Sequence, residues 1–161
     1  MSSGNAVMMR QEVRAILSLL LVALVGVLLS CARHDPLAPK VPAQNMEEAK
    51  ALKAPFGAAK SAPPEIVAEG KRLFEGKGAC IHCHGEGGKG DGPAGSKLYQ
   101  HPAADFTSCK MHELRTDGEL FWTMDHGVPG TAMVDMVHSG KLKEIEAWKI
   151  VAYLRSLCTL P

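Results

Sequence analysis

Five cysteines and seven histidines are the residues of this 161-residue chain best suited to chemistry, and one group of them is tightly spaced: Cys80-Ile81-His82-Cys83-His84. Two thiols three positions apart lie on one turn of backbone, where they reach the two vinyl groups of a haem, and the histidine that follows projects beneath the iron. One residue more between the cysteines would break that geometry. C-x-x-C also serves zinc sites and redox dithiols. Zinc calls for a second ligand pair, and Cys109 and Cys158 are widely separated in the sequence. A thioredoxin-like dithiol belongs in a βαβ context, for which there is no pattern here. The motif therefore predicts one haem c, attached covalently through Cys80 and Cys83, with His84 as an iron ligand.

The remaining candidates are weaker. The glycine-rich run 85–95 lacks G-x-x-x-x-G-K-[ST] and follows no strand, so it is not read as a phosphate loop. Asp91 with Glu86 is too sparse for a calcium loop. The glycines are expected to let backbone turn closely around the haem. His82 is expected to face solvent, and His101, His112, His126 and His138 to be surface or hydrogen-bonding residues; His126 and His138 alone compete for the far side of the iron. No Ser-His-Asp, paired-carboxylate or second-metal arrangement argues for catalysis.

Helices must position the motif. Pro63-Pro64-Glu65 suits a helix start, because proline is tolerated in the first turn and an acidic side chain there complements the helix dipole. The pattern predicts a helix over 65–75, with Ile66, Val67, Leu73 and Phe74 on one face and Gly70 leaving room for a close neighbour. A second is predicted over 117–126, carrying Leu120, Phe121 and Met124 at helical spacing. The last, over 141–157, turns Leu142, Ile145, Trp148, Ala152 and Leu154 inward. No stretch alternates as a strand does, so the fold class is all-α: a small helical domain wrapped around one haem. A domain this short buries little surface and needs a staple, which a covalent haem supplies.

Arg10 and Arg14 precede an uncharged run over 15–32, the basic flank and apolar core of an export signal or a short membrane span. Its end, Leu28-Leu29-Ser30-Cys31, resembles the lipobox of bacterial lipoproteins, in which the cysteine is lipidated and becomes the mature N-terminus. The expected domains are thus 1–31 as signal peptide or membrane anchor, 32–63 as a flexible Pro/Ala-rich tether, and 64–161 as the haem domain. The segment 32–64 carries six prolines with no sustained apolar period, which reads as a semi-rigid spacer. Cys109 and Cys158, in an exported chain, either form a disulfide or remain two buried thiols. Removing residues 1–30 takes Arg10, Arg14 and Glu12 from totals of 18 basic and 17 acidic residues, which leaves the two signs equal. A neutral chain without a basic stripe gives no reason to expect nucleic-acid binding.

Over residues 64–157 the sequence resembles a class I c-type cytochrome domain: E-G-K-R-L-F-E before the motif, C-I-H-C-H-G-E-G-G-K-G-D-G-P-A-G through it, then H-G-V-P-G-T-A-M and A-W-K-I-V-A-Y-L-R-S-L. The resemblance implies that the first and last helices cross closely, pairing Gly70 and Phe74 with the face from Trp148 to Tyr153. It also implies that the sixth iron ligand is a methionine in the loop before the last helix, a position held by Met133, with Met136 the nearest alternative. Methionine is soft, and His/Met ligation raises the potential relative to two histidines. Val134 follows where the family often has proline. Asp105-Phe106-Thr107 resembles a short family segment near the haem edge and is expected to pack there.

An iron with both axial positions filled has no open site, so the expected role is one-electron transfer, not catalysis. The expected setting is a bacterial respiratory chain on the periplasmic side of the membrane, with a redox protein donor and acceptor and a membrane attachment through the N-terminal anchor or lipidated Cys31. The alternatives are a permanently docked cytochrome subunit of a membrane oxidoreductase complex and, requiring an open sixth position, a haem peroxidase or gas sensor.

Overall fold

Pro63 and Pro64 set extended and then helical backbone, and from Pro64 the chain forms its first long helix. The computed structural model describes residues 13, 14, 16–18, 20, 21, 35–95 and 102–158. It divides into two units, 1–34 and 35–161. The described residues of the first unit are helical. No helix among the described residues is long and apolar enough to cross a membrane. Most of the run 15–32, with Cys31 and the anchor predicted there, lies outside the described residues.

The second unit contains helices α1 (Met46–Ala51), α2 (Pro64–Glu75), α3 (Ile81–His84), α4 (Cys109–Leu114), α5 (Asp117–His126) and α6 (Glu144–Ser156), with single 3₁₀ turns at Ala43–Asn45 and Ala59–Ser61. No strand occurs among the described residues, so the class is all-α as the sequence predicts. The middle predicted helix is found at its predicted bounds. The last one begins three residues late, because Lys143 is extended and its N–H is taken by the Glu146 carboxylate at 2.7 Å. Leu142 is buried as expected, but in the turn before the helix, where its N–H bonds the Met136 carbonyl at 2.7 Å. Ile145, expected inward, is 40% exposed, and Ile150 and Val151 fill the core instead.

α2 and α6 cross at Gly70. A Cβ there would overlap the Lys149 carbonyl oxygen and lie 2.6 Å from its carbon and 3.0 Å from the Tyr153 Cβ. The glycine that the sequence left awaiting a neighbour meets backbone. One turn on, Phe74 is fully buried with its ring edge-on to Tyr153 at 5.3 Å, and Phe121 stacks on Trp148 at 4.2 Å where α5 joins. Such aromatic pairs add about 0.5–1.5 kcal/mol each beyond the area they bury.

The segment predicted as a tether is part of this unit. Val41, Ala49, Ala54 and Ala59 are buried, and Leu37, Leu52, Phe56 and Ala62 pack against the core. Alanine-rich sequence lacks a visible apolar period because the contact is made by small residues at close approach: a Cβ on Gly118 of α5 would collide with the Ala49 and Leu52 carbonyl oxygens of this segment. Polar bonds complete the attachment. Asp117 accepts from the Ala59 N–H at 2.8 Å, and Arg115 donates to the Leu37 carbonyl.

Asp117 also receives the Arg155 Nε at 2.6 Å, while the same guanidinium donates to the carbonyls of His112 at 2.8 Å and Arg115 at 2.7 Å. With its side chain 8% exposed, Arg155 is a nearly buried charge with every nitrogen used. One side chain of α6 thereby joins α4, α5 and the 3₁₀ turn before α2. The disulfide left open by the sequence is formed: Cys109 and Cys158 are bonded with Cα atoms 5.0 Å apart. With a sequence separation of 49, closing that loop in the unfolded chain is worth about 4 kcal/mol in the chain-entropy account.

The Gly70 crossing makes a direct prediction. Gly70→Ala should destabilise the haem-loaded protein by about 3 kcal/mol through overpacking against backbone, seen as a lower denaturation midpoint at unchanged slope. Gly87→Ala, whose Cβ would meet only the Lys89 side chain at 3.9 Å or beyond, should leave the midpoint within about 0.5 kcal/mol. Equal effects from the two would contradict the packing described.

Candidate functional site

The haem motif hangs from the end of α2. The Gly78 N–H bonds the Leu73 carbonyl at 2.7 Å and the Cys80 N–H bonds the Phe74 carbonyl at 2.9 Å, so the buried Phe74 and the first motif cysteine share one turn. Ala79 between them has φ of 53°, the left-handed region a non-glycine residue enters at a cost. α3 then carries Ile81 to His84 in one turn, and Gly85 ends it with φ of 75°.

The glycine run curls back over this turn. The N–H groups of Gly90, Gly92 and Ala94 bond the carbonyls of His84, Cys83 and His82 at 2.9, 3.2 and 2.8 Å. These satisfy carbonyls that a one-turn helix leaves without partners. A Cβ on Gly92 or Gly95 would collide with backbone of the motif itself. The glycines predicted to wrap the haem therefore serve first to close backbone onto the helix that holds it.

Cys80 and Cys83 are both free thiols, partly buried. Burial pushes the Cys80 thiol up to about 11, so at neutral pH it is the uncharged S–H, and with Cys83 it would hold a haem as a thioether. Among the described residues these two cysteines join no group of three or more metal-ligating side chains, which leaves the zinc alternative without its further ligands.

The His84 Nδ1 lies 3.1 Å from the Ala104 carbonyl. A carbonyl oxygen only accepts, so Nδ1 carries the proton and Nε2 keeps its lone pair, the arrangement of a histidine ready to ligate a metal. Burial lowers the His84 pKa, against the smaller opposing effect of the Ala104 bond, and thereby favours the neutral ring that ligation requires. Phe106 lies on one side of the ring at 4.5 Å and Phe74 at 6.4 Å. Phe106 thus packs against the His84 ring. Its N–H bonds the Gly88 carbonyl at 2.7 Å, which fixes the 104–106 segment against the glycine loop. Ala104 was not legible in the sequence, because it acts through a carbonyl that every residue possesses.

Met133 sits half-buried in the loop between α5 and α6 and packs against the core. The loop closes on itself: Val128 N–H to Met133 carbonyl at 2.9 Å, Thr131 Oγ1 to Val128 carbonyl at 2.8 Å, Met133 N–H to Thr131 Oγ1 at 3.1 Å. Thr131 supplies the restraint that a proline after the methionine would have given. Met136 is 6% exposed within the core, tied by backbone to Met124 and Leu142. Met111 and Met124 are buried on α4 and α5.

The histidines divide as their surroundings dictate. His82 is exposed. His112 donates Nε2–H to the Phe106 carbonyl at 2.7 Å and accepts from Arg155, which links the Arg155–Asp117 network to the segment that orients His84. Burial lowers its pKa. His126 and His138, the competing distal ligands, both turn Nδ1 toward Asp125. His101 lies outside the described residues.

The donor set fits a haem c: two free thiols, an oriented imidazole with its lone pair free, aromatic walls, and a methionine loop beside the same core. Comparison with known proteins agrees. The family model for cytochrome c matches residues 67–158. No curated protein matches the chain. Among solved structures, a chain of the Kuenenia stuttgartiensis reducing HAO-like protein complex is similar, with 26% identity and a TM-score of 0.51, over 64% of this chain and 50% of that one. This chain therefore spans about half the length of that relative.

Proposed function

The chain belongs to the cytochrome c family, and from that premise we propose that it carries single electrons between redox proteins by means of one haem c. The oriented neutral imidazole of His84 is the observation that carries this reading. Cys80 and Cys83 would hold the haem as thioethers, with His84 Nε2 and the Met133 sulfur on the iron. The bound haem supplies a reversible one-electron couple. The Ala104 carbonyl fixes the His84 tautomer, and the Phe74 and Phe106 rings limit its rotation. The two Thr131 bonds hold the Met133 loop closed, which would limit rearrangement when the charge on the iron changes. A thioether favours ferrous iron and raises the potential relative to a second imidazole.

The setting proposed is the outer face of a bacterial membrane, within a respiratory chain. The Cys109–Cys158 bond supports it, since disulfides persist in oxidising compartments. The basic and apolar N-terminal sequence ending at Cys31 supports attachment to the membrane, either as a retained helix or through lipid on Cys31. Confinement there raises the effective concentration of partners. The similarity to a chain solved within a protein complex favours a second reading, a cytochrome subunit docked permanently in a larger oxidoreductase. Mild detergent extraction and sizing separate the two. Migration as a free small cytochrome is expected of the carrier, and co-migration with a stoichiometric redox complex would select the docked subunit.

The axial assignment is tested on the iron. Met133→Ala should remove the weak sulfur-to-iron charge-transfer band of the oxidised protein, lower the potential and admit carbon monoxide, while Met136→Ala should lower stability and keep the band. The reverse pattern would transfer the ligand to Met136, and carbon monoxide binding by the wild-type protein would point to a peroxidase or sensor.

A further inference from the structure

We propose that Asp125, His126 and His138 form a second metal site, independent of the haem, that takes a divalent transition ion of zinc type. Each residue offers one ligand atom, and the three atoms lie within 4.8 Å of one another. His138 Nδ1 is 2.9 Å from one Asp125 oxygen and His126 Nδ1 is 3.5 Å from the other. Ligands about 2.0–2.2 Å from a tetrahedral zinc stand about 3.3–3.5 Å apart, so small side-chain rotations bring this set to coordination distance. Two imidazoles and a carboxylate are the donor types zinc accepts, with water completing the fourth position.

The fold presents the three ligands for reasons unrelated to the haem. Asp125 and His126 end the ten-residue helix α5, where the helix dipole favours a cation. The His126 ring stacks on the buried Trp122 at 4.2 Å and 6° between planes, which limits its rotamers. His138 is returned to the helix end by the bond from the Met136 N–H to the Met124 carbonyl at 2.7 Å, and the Gly140 N–H to Val137 carbonyl bond closes the turn that follows. Its ring centre is 5.0 Å from that of His126. Asp125, with its side chain 17% exposed, is the inner ligand; His138 is the outer one, open to arriving ions. Asp135 adds negative potential at His138. The site also spans the two ends of the 127–137 loop that carries Met133, so a bound ion would join them.

Calorimetric titration of zinc into the haem-loaded protein tests this. One zinc per chain is expected, with Kd tighter than about 10 µM. His138→Ala, at an exposed position, should weaken binding at least tenfold, as should Asp125→Asn, while His82→Ala, which removes an exposed histidine elsewhere, should leave it unchanged. Magnesium, which prefers oxygen ligands, should not compete. Absence of saturable zinc binding, or binding unchanged in both His138→Ala and Asp125→Asn, would overturn the proposal. The haem spectrum reports independently that each variant is folded.

Discussion

The contact of Gly70 with the Lys149 backbone sets the distance between α2 and α6, and the position of the haem motif follows from it. That approach puts Phe74 into the core against Tyr153, and the same turn of α2 supplies the carbonyls that receive Gly78 and Cys80. The first motif cysteine is thus two short backbone bonds from the helix crossing. A side chain at position 70 would push the helices apart and move the motif with them. The constraint is steric, and it involves backbone on one side, so it leaves no rotamer through which to relax.

Around this crossing the unit is held by several dissimilar devices. Hydrophobic burial between α2, α5 and α6 forms the centre. The Arg155 guanidinium, paired with Asp117 and two carbonyls, ties α4 and α5 to the last helix, and His112 extends that network to the segment bearing Ala104 and Phe106. A nearly buried arginine whose partners are all in place costs little, whereas loss of one partner leaves an uncompensated charge. The Cys109–Cys158 bond fastens the same region covalently. Through His112 and Phe106 these restraints reach the segment whose Ala104 carbonyl orients His84.

The sequence reveals what depends on residue type at fixed spacing. The C-x-x-C-H motif, the amphipathic runs at 65–75 and 117–126, and the waiting Gly70 were all legible because each rests on side-chain identity. The segment 32–63 reads as a tether because alanines that pack at close range give no periodic apolar signal, and the bonds that anchor its described residues run to Asp117 and Arg115, far along the chain. The role of Ala104 could not be seen because it belongs to a carbonyl. Nothing in its local sequence marks Arg155 as a linking residue; its partners Asp117, His112 and Arg115 are 38 to 43 positions away and are brought to it by the tertiary arrangement. The pairing of Asp125 with His138 is equally hidden, as 13 positions separate them and a loop brings them together.

The proposed electron transfer requires one covalent haem ligated by His84 and one exchangeable electron per chain. A redox titration of the purified haem-loaded protein, followed in the visible spectrum and paired with the intact mass, tests it most directly. One haem per chain, retained under denaturing extraction, and a single Nernstian step of one electron are expected. A haem removed by that extraction, more than one haem per chain, or a titration in more than one step would contradict it.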